Sequence, residues 1–88
     1  MLFYQCLHNF YLIGINACNK IFDLTSKKII QIILETYRKA LLNLNNQKSF
    51  ADEFNKDASI FIRNIESQNI DGKLDDLIID LKLMRNKF

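Results

Sequence analysis

The chain has 88 residues, 49% of them hydrophobic, a length that makes one domain and leaves no room for a second core. Proline is absent and glycine occurs only as Gly14 and Gly72, which removes the tight turns that an all-β sandwich or barrel needs. The net charge of +2 combines a basic stretch over 25–50, net +4, with an acidic stretch over 51–88, net −2, so the bases are thinly spread and balanced, and nucleic acid is not implied as a partner.

Apolar residues recur at Phe3, Cys6, Phe10, Ile13, Ala17 and Ile21, in steps of three and four, which predicts a first helix over about 2–22. A second stripe runs through Tyr4, Leu7, Tyr11, Ile15, Cys18 and Phe22, so this helix is apolar over more than one face and must be heavily buried. From Met1 to Asn19 no residue is charged, a stretch long enough on paper to cross a bilayer. Gln5, His8, Asn9, Asn16 and Asn19 lie inside it and each is costly in hydrocarbon, which favours burial in protein. A signal peptide would open on a basic region, and Met1 to Gln5 has none.

Thr25 and Ser26 are good N-cap types for a second helix over about 26–45, with its stripe at Ile30, Ile33, Leu34, Tyr37, Leu41 and Leu44. Asn43, Asn45 and Asn46 fray its end. Ser49 with Asp52 three residues on is a weak capping-box analogue, opening a third helix over about 50–66 whose face reads Phe50, Phe54, Ala58, Phe61, Ile62 and Ile65. Asp71 can cap a fourth helix over about 72–86, striped by Leu74, Leu77, Ile78, Leu81, Met84 and Phe88. Acids Asp71, Asp75 and Asp76 stand at its start and bases Lys82, Arg85 and Lys87 at its end, as the helix dipole favours. Four helices with short connectors place sequential neighbours antiparallel, so the expected fold is an all-α, up-down four-helix bundle spanning 1–88 as one domain.

Chemistry-bearing constellations are sparse. His8 is the single histidine, and Cys6 lies two residues away, about 200° round a helix and out of hydrogen-bond reach. Cys6 and Cys18 on one helix are about 18 Å apart along its axis, which predicts reduced thiols and a cytosolic setting. The run Ser67 to Ile78 has Asn69, Asp71 and Gly72 where a calcium loop would, but Ser and Ile replace its first acid and its bidentate glutamate. Asp71, Asp75, Asp76 and Asp80 lack the Glu-x-x-His motifs of a carboxylate metal site and read as a solvated face. Lys27, Lys28, Arg38, Lys39 and Lys48 come with no helix-turn-helix signature. No enzyme, metal or cofactor is expected from this inventory.

The stretch Ile33-Leu34-Glu35-Thr36-Tyr37-Arg38-Lys39-Ala40-Leu41, then Asn43 to Ser49, Phe50 through Ile65 and Leu74 through Leu83, has a recognisable order. A basic amphipathic helix, a polar turn, an apolar-striped helix, a break and a Leu-rich final helix together resemble the pediocin-like bacteriocin immunity proteins, especially the enterocin A immunity group, over about 26–84. The resemblance implies a cytosolic, non-enzymatic four-helix bundle that works at the inner face of the membrane. It implies engagement of a sugar-transporting permease with bacteriocin bound, with specificity toward the C-terminal half. Here that maps to Lys82, Arg85, Asn86, Lys87 and Phe88, the aromatic ring serving as an apolar anchor and the bases facing an acidic or lipid-proximal partner. Two features depart from the family: the very apolar first helix, which leaves room for lipid contact or a homodimer, and the lack of a proline opening the last helix. Two other readings stand beside this one, a helical interaction module of antitoxin or phage-regulator type and a small membrane-anchored protein.

Overall fold

The computed structural model describes residues 3–43 and 47–87. They form four helices, α1 (Phe3–Asn19), α2 (Leu24–Leu42), α3 (Gln47–Glu66) and α4 (Asp75–Asn86), with no strand among them. Each helix packs on its neighbours in the chain, α1 closes the ring on α4, and α1 also touches α3 across the middle. The expected all-α four-helix bundle is the fold.

The interior is one apolar cluster to which all four helices contribute. At its centre, Phe10 of α1, Tyr37 of α2, and Phe54 and Phe61 of α3 meet largely edge to face. Phe10 lies 5.3 Å from Phe54 (ring centroids), 5.4 Å from Phe61 and 5.7 Å from Tyr37. These separations fall in the range where the ring quadrupoles attract beyond simple area burial. Around the rings, Leu74 just before α4 and Ile78 and Leu81 within it are all buried.

The described residues of the stripes expected for α2, α3 and α4 fold inward. Phe54, Ala58, Phe61, Ile62 and Ile65 are buried, while Leu77 and Met84 are partly so. In α1 neither stripe alone is the core: Cys6, Leu7, Phe10, Gly14, Ala17 and Cys18 are buried, an arc centred between the two. Tyr4 and Phe22 of the second stripe are exposed. Gly14 is the residue that periodicity passes over. A Cβ there would stand 2.8 Å from Leu34 Cδ2 and 2.9 Å from Phe61 Cζ, so only glycine lets α1 sit this close to α2 and α3.

The helix ends differ from expectation, for local reasons. α1 stops at Asn19 instead of 22, because the Lys20 and Ile21 amides bond the Ala17 and Cys18 carbonyls in a tightened i to i−3 last turn. α2 is capped by Asp23, not by Thr25 or Ser26: the Asp23 carboxylate accepts the Ser26 amide at 2.9 Å. This hydrogen bond holds the Asp23 carboxyl below its ordinary value. α2 ends at Leu42, short of 45, and the expected stripe residue Leu44 and the turn residues Asn45 and Asn46 lie outside the described residues. α3 begins at Gln47 rather than 50, while the side chains of Ser49 and Phe50 lie outside the description.

α4 begins at Asp75 rather than 72, and Asp71 is not its cap. Asp71 and Gly72 adopt φ of 60° and 70°, a left-handed pair that turns the chain before the helix. The capping role falls to Asn69, whose Oδ1 accepts the Leu74 amide at 2.8 Å while its Nδ2 donates to the Asp75 carboxylate. Asp75 and Asp76 in the first turn and Arg85 in the last keep the expected dipole-favoured order.

Candidate functional site

Of the five residues that the sequence singles out, Lys82, Arg85 and Asn86 stand in the last turns of α4 and Lys87 at its C-cap, making four, and the fifth, Phe88, lies outside the described residues. The four are not equivalent. Lys82 Nζ reaches Glu66 Oε2 of α3 at 3.3 Å, a half-exposed pair of the kind worth at most about 1 kcal/mol. Arg85 is partly buried; its Nη1 donates to Ser59 Oγ of α3 at 3.3 Å and its Nε to Asn86 Oδ1 at 3.2 Å. Asn86 and Lys87 are exposed.

The end of α4 is thus tied to α3 by two cationic side chains. Asn55 and Ser59 of α3 share an open depression with Arg85 and Asn86. Sequence reasoning did not include Ser59 or Asn55, because Ser59 stands 26 positions from the arginine it meets and no local signal connects them. Chemically the depression offers a guanidinium with further N–H donors, a hydroxyl and two carboxamides. That set suits recognition of a carboxylate or a backbone carbonyl on a partner.

Other candidate residues are scattered. Cys6 lies in the core whereas His8 is exposed and stacked on Tyr4, with centroids 6.1 Å apart, so the two do not form a nucleophile–base pair. Cys18 is buried with its Sγ 3.8 Å from the Lys27 carbonyl, and burial raises its thiol pKa against the opposing pull of Lys27. Both cysteines are free thiols. The acidic residues Asp71, Asp75, Asp76 and Asp80 are exposed, and no group of three metal-ligating side chains converges among the described residues.

Of the bases of α2, Lys28 and Lys39 are exposed and Lys27 half-buried. Arg38 grips Glu35 with two hydrogen bonds of 2.6 and 3.0 Å, and that grip lowers the Glu35 carboxyl pKa. Tyr37 sits inside the aromatic centre, where desolvation, helped by Asp57, raises its phenol pKa. Among the described residues no helix is long and apolar enough to cross a membrane.

A second surface feature lies between α2 and α3. Ile32, largely exposed, and Ile60, nearly half exposed, flank a groove with Thr36 and Asp57 at its edge and Ile33 and Tyr37 in its floor. Ile29, one turn before Ile32, extends its apolar rim. The stripe expected for α2 did not include these outward isoleucines. Comparison with models of known families, with curated proteins and with solved structures gave no match.

Proposed function

We propose that the chain is a non-catalytic binding protein of the bacteriocin-immunity type, protecting its cell by engaging a permease–bacteriocin complex from the cytosolic side. The observation that carries this reading is the α4 end. Lys82 and Arg85 are braced against α3, while Asn86 and Lys87 stay exposed beside them. A braced cationic patch loses little side-chain entropy when a partner arrives, which is what a recognition surface needs. The helix order that resembles the immunity proteins supports it, as does the four-helix bundle. Expression of the chain in a strain sensitive to pediocin-like peptides should raise survival under a panel of such peptides. Survival equal to that of the empty vector across the panel would refute the reading.

The groove between α2 and α3 favours a second reading, an interaction module for an amphipathic helix. Isoleucines spaced three residues apart on one wall and Ile60 on the other are what a helix laid in a groove would cover. Under this reading a single cellular protein co-purifies with the chain, and Ile32→Glu releases it without unfolding the bundle. Retention of that protein by the Ile32→Glu variant would exclude the groove as its site.

A further inference from the structure

α1 carries no charged side chain along its 17 residues, so its outward face is neutral from end to end. At about 100° per residue Tyr4, His8, Leu12 and Asn19, with Gln5 and Asn16 beside them, fall on one strip of the helix, and all six are exposed. Tyr11 and Ile15, half-buried, border the strip on the α2 side. Elsewhere among the described residues the exposed helix faces are charged: Lys28 and Lys39 on α2, Glu53 and Lys56 on α3, Asp76 and Asp80 on α4. Charge depletion around aromatic and aliphatic side chains is the composition of the centre of a protein interface, whereas mixed charge is that of a free surface.

The chemistry of the strip selects its occupant. In a two-fold contact, residues near the axis meet their own copies. A charged side chain there faces its like and repels it, whereas a side chain with both a donor and an acceptor complements itself. Tyr4, Gln5, His8, Asn16 and Asn19 are all of that second kind, and Leu12 among them is apolar. Opposite charges steer and select an unlike protein, and the strip has none to offer. Glu35, which shares a depression with Tyr11 and Asn19, is already neutralised by Arg38 at 2.6 and 3.0 Å. A helix that lies in a bilayer interface sets lysines and arginines beside an apolar face, whereas here amides and an imidazole surround Leu12.

We propose that this face joins two copies of the chain in a weak two-fold dimer, α1 against α1. A helix of 17 residues is about 25 Å long, and its outward half offers about 500 Å² from each copy, or about 1,000 Å² in all. That area is the lower limit of a specific interface, so the dimer forms at high protein concentration and exchanges readily. Leu12 stands near the middle of both the helix and the strip, which brings it close to its own copy whether the two helices run parallel or antiparallel. The proposal is independent of the immunity reading, which rests on the end of α4.

Sedimentation equilibrium of the full chain, from micromolar to near-millimolar concentration, should show the mass rising from that of one chain toward that of two. Leu12→Lys and Leu12→Glu, each checked for native helicity, should separately weaken association at least tenfold, because each sets like charges together. An equimolar mixture of the two variants should restore it, because opposite charges then face each other. Three results would overturn the proposal: a parent chain that stays monomeric throughout, Leu12→Lys associating as well as the parent, or a mixture no more associated than either variant alone. A monomeric parent that pellets with phosphatidylcholine vesicles would assign the face to lipid instead.

Discussion

Replacing Gly14 by alanine sets two effects of opposite sign against each other. Helix propensity alone favours the change by about 1 kcal/mol, since Gly14 lies inside α1. Packing opposes it. The new methyl would stand 2.8 Å from Leu34 Cδ2, 2.9 Å from Phe61 Cζ and 3.2 Å from Phe61 Cε1, all closer than carbon atoms tolerate. Leu34 can give, because it borders a surface depression shared with Tyr11 and Ile15. Phe61 cannot give as readily, since its ring is fully buried and lies 5.4 Å from Phe10 and 5.6 Å from Tyr37.

Overpacking of this kind costs roughly 1–3 kcal/mol, so the net is a destabilisation of about 1 kcal/mol. For a chain of 88 residues that corresponds to a fall in melting temperature of about 5 °C. Urea unfolding followed by circular dichroism gives both the midpoint and its slope. A lower midpoint with an unchanged slope is expected. In a Leu34→Ala background one of the two clashes is gone, so Gly14→Ala should cost less there. A raised midpoint for Gly14→Ala in the parent chain would show that the close approach of α1 to Leu34 and Phe61 does not exist.

Phe61→Ala empties the aromatic centre and should cost about 3–5 kcal/mol, a large share of the roughly 4–13 kcal/mol that a chain of this length holds. Calorimetry should show a melt lowered by more than 15 °C or none, and a smaller drop would contradict the central role of that ring. Cys6 and Cys18 are buried free thiols, so a chromogenic disulfide should react slowly with the native protein and quickly with two thiols in denaturant. Fast native reaction would place a cysteine at the surface. The Asp23 carboxyl is held below its ordinary value by the Ser26 amide. Its contribution to stability is therefore complete above the unfolded pKa and is lost as pH falls through the folded value. Asp23→Ala should lower the melting temperature at neutral pH and narrow its gap to the parent chain in acid; a gap independent of pH would contradict the cap.

Helix identity was legible because α3 and α4 each bury one face, so apolar spacing and burial coincide at Phe54, Ala58, Phe61, Ile65, Ile78 and Leu81. In α1 the pattern was ambiguous for a physical reason. The helix packs on three others, so its buried arc is wide and takes residues from both stripes. Helix ends were misplaced because the bonds that set them skip the residue that looks like a cap. Asn69 reaches five residues forward to the Leu74 amide, past an Asp71 whose positive φ makes it a turn residue. Gly14 carried no signal beyond its low helix propensity, since its role depends on Leu34 and Phe61, which become neighbours only on folding. The basic end of α4 could be named from the sequence, whereas its bracing by Ser59 and Glu66 comes from a helix contact that no local pattern encodes.

Survival of sensitive cells carrying the chain with Lys82→Ala, Arg85→Ala and Lys87→Ala together, set against the parent chain under the same pediocin-like peptide panel, tests the role of the α4 end. All three side chains are at least partly exposed, so native helicity and a cooperative melt should persist. The α4 reading predicts protection by the parent chain and its loss in the folded triple variant. Full protection by that variant would contradict it.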